Sequence, residues 1–79
     1  MADAKSIMNT VISPKLEESF GKTMATCINT RAIFAAMSAK TEKEKLKLMV
    51  EEVCSDAKVI AMWGASQVNK YKDIWMMRL

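Results

Sequence analysis

The stretch Thr41-Glu42-Lys43-Glu44-Lys45-Leu46-Lys47-Leu48-Met49-Val50 decides how the chain is read. Thr41 stands just before a run of strong helix formers, and Glu44 lies three residues on. That pattern is a capping box: the Thr41 hydroxyl can accept from the Glu44 amide, and the Glu44 carboxylate can reach back to the Thr41 amide. A helix therefore starts at residue 42. No proline or turn cluster follows, and Leu46, Met49, Val53, Ala57, Ile60, Gly64, Val68, Tyr71 and Trp75 recur at helical spacing on one face. The reading is one helix over 42–77, roughly 54 Å long at 1.5 Å per residue.

Upstream of the box, Ser13-Pro14 reads as a second helix start, serine as cap and proline at the first helical position. Leu16, Phe20, Met24, Cys27, Ile28, Ala32, Phe34 and Ala35 carry that helix to about residue 39. Gly21 weakens it by about 1 kcal/mol relative to Ala without breaking it. The tight Lys40-Thr41 connection then makes 14–39 and 42–77 antiparallel neighbours. In that register Cys27 faces Cys54 and Met24 faces Ala57. Before them, Ala4, Ile7, Met8, Val11 and Ile12 form one stripe of a short helix over 3–12, capped by Asp3. It would cover the overhang that 42–77 leaves beyond its partner. The expected fold is a single all-α domain over 1–79: a short N-terminal helix followed by a long antiparallel helical hairpin.

Composition supports this and excludes much else. With 51% hydrophobic and 27% charged residues and a net charge of +3, the chain is neither disordered nor strongly polarised. Two Gly and one Pro are too few for an all-β domain. No apolar run reaches the length of a membrane span. There is no secretory pattern of basic start and continuous apolar core, so the expected compartment is the cytoplasm, with reduced thiols. The absence of histidine removes the commonest general base and metal ligand. Two cysteines without a CxxC make no zinc site, and two isolated glycines make no phosphate loop. No metal, cofactor or catalytic residue is expected.

A hairpin cannot hide all this apolar surface. A second strip, with Leu48, Val59, Met62, Trp63, Trp75 and Met76, is expected to pack between chains, giving a homo-oligomeric helix bundle. The Met-rich end (Met62, Met76 and Met77) reads either as oligomer core or as an adaptable partner surface. Cys27 and Cys54 read as buried thiols acting as small hydrophobes, or as a redox-sensing pair. Trp63-Gly64 reads as a packing pair at a helix crossing, or as a wall and floor of a pocket. Arg31 is expected to pair with Glu51 or Glu52. An anion site is conceivable at the start of the 14–39 helix: free amides after Ser13, charge from Lys15 and Lys70, and a stacking face from Tyr71. The alternative is a solvated charged rim. Basic residues interleaved with acidic ones make nucleic acid an unlikely partner, and one Lys on 3–12 argues against a membrane surface.

The order Glu44-Lys45, Glu51-Glu52 and Met62-Trp63-Gly64-Ala65 resembles small phage counter-defence proteins that sequester cyclic nucleotides. Members of that family combine a short N-terminal helix with a helical hairpin and assemble as oligomers. The spacing between the paired Glu and Met-Trp is longer here, and Val11 and Ile12 stand where a ligand-stacking aromatic would be. The resemblance implies a sponge for cyclic nucleotides that antagonises host immune signalling. The residues themselves support a broader expectation: a non-enzymatic oligomeric protein that binds a partner stoichiometrically, as adaptor, inhibitor or sequestering protein.

Overall fold

Asp3 caps the first helix as its sequence position requires, its carboxylate accepting from the Ser6 amide at 2.7 Å. From there a computed structural model describes residues 3–78. α1 (Ala4–Ile7) runs into a π-helical turn (Met8–Ile12), which runs into α2 (Ser13–Phe20). The expected break at Ser13-Pro14 is thus absent, and one continuous rod replaces the helix over 3–12 and the start of the next. Proline inside an α-helix lacks a donor and its ring collides with the carbonyl four residues back. The π turn answers both problems by widening the helix just before Pro14, with the Ser13 amide donating to the Met8 carbonyl, five residues back.

The same turn sets which face is buried. Ala4, Met8, Ile12 and Leu16 are all fully buried. At 3.6 residues per turn, a strict i+4 repeat drifts by about 40° per step, or roughly 120° from Ala4 to Leu16. The wider turn takes out part of that drift, so these side chains stay on one core-facing stripe.

Neither long helix of the expected hairpin is continuous. Gly21, at φ 83° and ψ 165°, ends α2 and starts α3 (Lys22–Ala35). The 42–77 stretch is three helices: α4 (Glu42–Ser55), α5 (Ala57–Trp63) and α6 (Ala65–Met76). Asp56 makes the first break, extended at ψ 126° and capping α5 through the Lys58 amide at 2.8 Å. Gly64 makes the second, at φ 86° and ψ 146°. The 54 Å rod is replaced by a body of 31 × 25 × 21 Å. There is no overhang: the chain folds back so that α6 packs on α4, with the Cys54 thiol 3.9 Å from the Val68 carbonyl.

The capping box forms with a small displacement. The Glu44 amide donates to the Thr41 hydroxyl at 3.1 Å, but the Glu44 carboxylate accepts from the Lys40 amide, at 3.4 Å. One apolar cluster holds all segments together. The rod contributes Ile7 and the i+4 stripe, and α3 contributes Ala25, Ile28 and Ala32. Opposite them α4 supplies Leu46, Met49, Val50 and Val53, closed by Val59, Val68 and Trp75. Small residues on α3 against large ones on α4 let the two helices approach closely. Among the described residues no helix is long and apolar enough to cross a membrane.

Two further expectations are corrected by this path. Cys27 is exposed while Cys54 is buried, so they do not share a packed seam. Arg31 pairs with Asp56 at 3.6 Å rather than with Glu51 or Glu52, because the break after Ser55 turns Asp56 toward α3.

Candidate functional site

An aromatic corner joins the end of α2 to α5 and α6. Tyr71 and Trp75 stack with centroids 5.4 Å apart, one turn apart on the same helix. Trp63 closes on both, at 5.2 Å from Tyr71 and 6.2 Å from Trp75, and meets Phe20 at 6.1 Å. Its indole N–H donates to the Ser19 hydroxyl at 2.8 Å, which satisfies the one polar atom of a half-buried ring. The Lys15 ammonium lies over the Tyr71 ring, 5.3 Å from the centroid. Hydrogen bonding toward the Tyr71 hydroxyl, and then its charge, raise the Lys15 pKa above the ordinary value.

The expected anion site is only partly assembled there. Lys15 and Tyr71 do meet. Ser13 is half-buried within the continuous rod, and its amide is already bonded to Met8, so no free helix N-terminus stands beside it. Lys70 is exposed and makes no ion pair or cation–π contact among the described residues. The Tyr71 ring, meant as a stacking face, is engaged by Trp75, Trp63 and Lys15.

The strip expected between chains is largely spent inside this one. Val59 and Trp75 are buried; Leu48, Trp63 and Met76 are half-buried against the core. Met62 alone of that set remains exposed, at 55%. Outside that strip, large apolar side chains stay exposed in two regions: Ile60, Ile74 and Met77 along α5, α6 and its C-cap, and a set of three at the end of α3. Phe34 is 72% exposed and Met37 70%, with Ile33 beside them at the end of α3. The sequence pattern counted Phe34 among the packed positions of a helix over 14–39 and did not single out Ile33 or Met37. The available signal was the pair Ile33-Phe34: adjacent helical residues point about 100° apart, so both cannot face one partner.

Next to this face is a cleft of about 220 Å³ between the first turn of α1, the end of α3 and the start of α4. Ile33, Ala36, Met37 and Met49 give it an apolar lining, and Lys5 and Lys45 stand at its edge. Glu42 ties its walls together. One carboxylate oxygen accepts from the Ala4 amide at 3.0 Å, and the other receives the Lys45 ammonium at 3.1 Å. The Ala4 bond first, and Lys45 second, hold the Glu42 carboxyl below its ordinary pKa.

A second cleft, of about 340 Å³, contains Glu51, Glu52, Cys54, Ser55, Asn69 and Lys72. Its thiol is no nucleophile at neutral pH: burial pushes the Cys54 pKa up to about 11, only partly offset by Lys72. Among the described residues no group of acidic or thiol side chains is arranged to hold a metal ion. Comparison with known proteins returned no matching family model, no similar curated protein and no similar solved structure.

Proposed function

We propose that the protein is a non-enzymatic binding protein that acts by stoichiometric association with another macromolecule through the Ile33–Phe34–Met37 face. The carrying observation is the concentration of large exposed apolar side chains at the end of α3, beside an apolar cleft. A small domain leaves such a patch in water at a cost, and patches of this kind mark interaction sites. Two of the three have the properties of interface anchors: Phe34 is rigid and aromatic, and Met37 is adaptable. A chain without histidine, whose cleft thiol stays protonated, offers little for chemistry. Whether the bound macromolecule is a second copy or another protein, the same face would be covered.

Native mass spectrometry of the protein isolated from the producing cell tests this. The wild type should carry a stoichiometric partner or a second copy, and Phe34→Asp with Met37→Asp should release it. A bare monomer for both at micromolar concentration refutes the reading.

The Lys15–Tyr71 contact supports a second reading, a sponge for cyclic nucleotides that antagonises host immune signalling. A ligand would displace Lys15 from the ring and use it as a counter-ion. Lys15→Ala with Lys70→Ala should then cut affinity for a cyclic dinucleotide by more than about tenfold, since charge-assisted contacts are worth about 1.5–3 kcal/mol each. Calorimetry showing no binding of any cyclic or linear nucleotide by the wild type eliminates it.

A further inference from the structure

The cleft between Met37 and Met49 has a fixed floor and a movable wall. Ala36 and Met49 are 4% and 3% exposed and locked in the core, whereas Met37 stands largely in solvent. At about 220 Å³ the space exceeds several waters, each with a share of roughly 30 Å³, and its lining is apolar. It is therefore suited to one large apolar side chain entering from outside.

Around it the basic groups Lys5, Lys40, Lys43 and Lys45 outnumber the acidic Asp3, Glu42 and Glu44 by one. Asp3 is turned onto the Ser6 amide, Glu42 onto the Ala4 amide and Lys45, and Glu44 onto the Lys40 and Thr41 end of α4. Each of these acidic groups keeps its charge but is held in place by a backbone N–H, and Glu42 also by Lys45. Lys5, Lys40 and Lys43 make no ion pair among the described residues. The cleft therefore opens beside a small positive excess, with Lys5, Lys40 and Lys43 the cations free to meet an anionic partner.

We infer that this cleft docks an acidic amphipathic helix of a partner protein, one apolar side chain seated over Ala36 and Met49 beside Met37, the same helix covering Phe34 on the adjoining face, and a carboxylate meeting Lys5, the lining lysine without an ion pair among the described residues. The inference rests on the binding reading above and names the partner's chemistry. A helix is the suitable form because no strand occurs among the described residues, so an extended peptide finds no sheet edge for its backbone. A helix satisfies its own amides and presents anchors at i, i+3 or i+4, and i+7.

Other occupants fit less well. A second copy meeting this face isologously would bring the same lysines against each other. Single-stranded nucleic acid would need several stacking rings, and Phe34 is the one exposed aromatic among the described residues. A membrane surface calls for a protruding apolar face rather than a cleft.

The test is a display selection of random peptides of helical length on the whole folded protein. Binding is then measured by fluorescence anisotropy for the wild type, Phe34→Asp and Lys5→Glu with Lys45→Gln. Circular dichroism confirms that each variant is folded; Lys5→Glu alone, which leaves Glu42 and Lys45 untouched, serves if the double variant is not. Enriched peptides should carry net negative charge and apolar residues at i, i+3 or i+4, and i+7. The best of them should lose about tenfold or more in affinity in each variant and weaken with added salt. Enriched peptides without acidic bias, or unmoved by Lys5→Glu, overturn the inference while leaving an apolar docking face intact. If no peptide distinguishes the wild type from Phe34→Asp, the inference also falls, and native mass spectrometry separately decides the binding reading. Tighter, Phe34-dependent binding of oligothymidine or of phosphatidylserine vesicles overturns it in favour of those partners.

Discussion

Replacing Gly64 with alanine separates the two ways of reading this chain, because they give opposite signs. Inside one helix over 42–77, Gly64→Ala should stabilise the protein by about 1 kcal/mol, the difference in helix propensity. In the structure Gly64 sits at φ 86° and ψ 146°, between α5 and α6. That region is essentially closed to residues with a Cβ, and holding one there costs about 1–3 kcal/mol. An added Cβ meets nothing within 4 Å, so no packing clash adds to this. The alanine also restricts the unfolded chain, which returns about 0.4–1 kcal/mol. The net expectation is a loss of about 1–2 kcal/mol, or a fall in Tm of roughly 4–16 °C for a domain this small. Thermal unfolding followed by circular dichroism measures it. An unchanged or higher Tm, with the hydrodynamic radius of the wild type, would show that the chain does not turn at Gly64. A larger radius would mean that alanine has fused α5 and α6 into one rod and detached α6 from α4, as the backbone argument also allows. Gly21→Ala, at the nearly identical φ of 83° and equally open space, should behave alike.

Asp56→Ala should cost about 1–2 kcal/mol, mostly from the lost cap on α5, whereas Asp56→Asn should keep most of the stability because the ion pair to the exposed Arg31 is worth little; equal losses in denaturant titrations of the two variants would contradict this. Cys27 should react with a thiol reagent promptly in the native state while Cys54, buried with its pKa up at about 11, reacts only on unfolding; mass spectrometry of the timed adducts decides. Glu42 has its pKa depressed in the fold, so its contribution is complete above the unfolded value near 4.5 and is lost as pH falls through the lower folded value. In an NMR titration the Glu42 carboxyl should move below pH 4.5, and Glu42→Ala, which removes the acceptor, should speed amide exchange at Ala4; a carboxyl titrating at or above 4.5 would break the Glu42–Ala4 link.

The sequence by itself determined the helical class, the caps at Asp3 and Thr41, and the core positions Leu46, Met49 and Val53, since capping and 3.6-residue periodicity are local properties. It also brought Lys15 toward Tyr71, though by a different geometry from the one found. What it did not determine is where the helices stop. Gly21 and Gly64 carry only a propensity penalty of about 1 kcal/mol each, which a local reading absorbs into a continuous helix. The competing term is tertiary. Breaking at Asp56 and Gly64 lets α6 return onto α4 and buries Val59, Val68 and Trp75 within one chain. That burial is worth about 1.5–3 kcal/mol per large side chain, more than the helical hydrogen bonds given up at each break. Pro14 was resolved in the opposite direction, its helix kept whole by a π turn so that Ile12 and Leu16 share a buried stripe. Once the folded-back path had consumed the strip expected between chains, Ile33, Phe34 and Met37 were left outside, and only the arrangement of whole helices decides that.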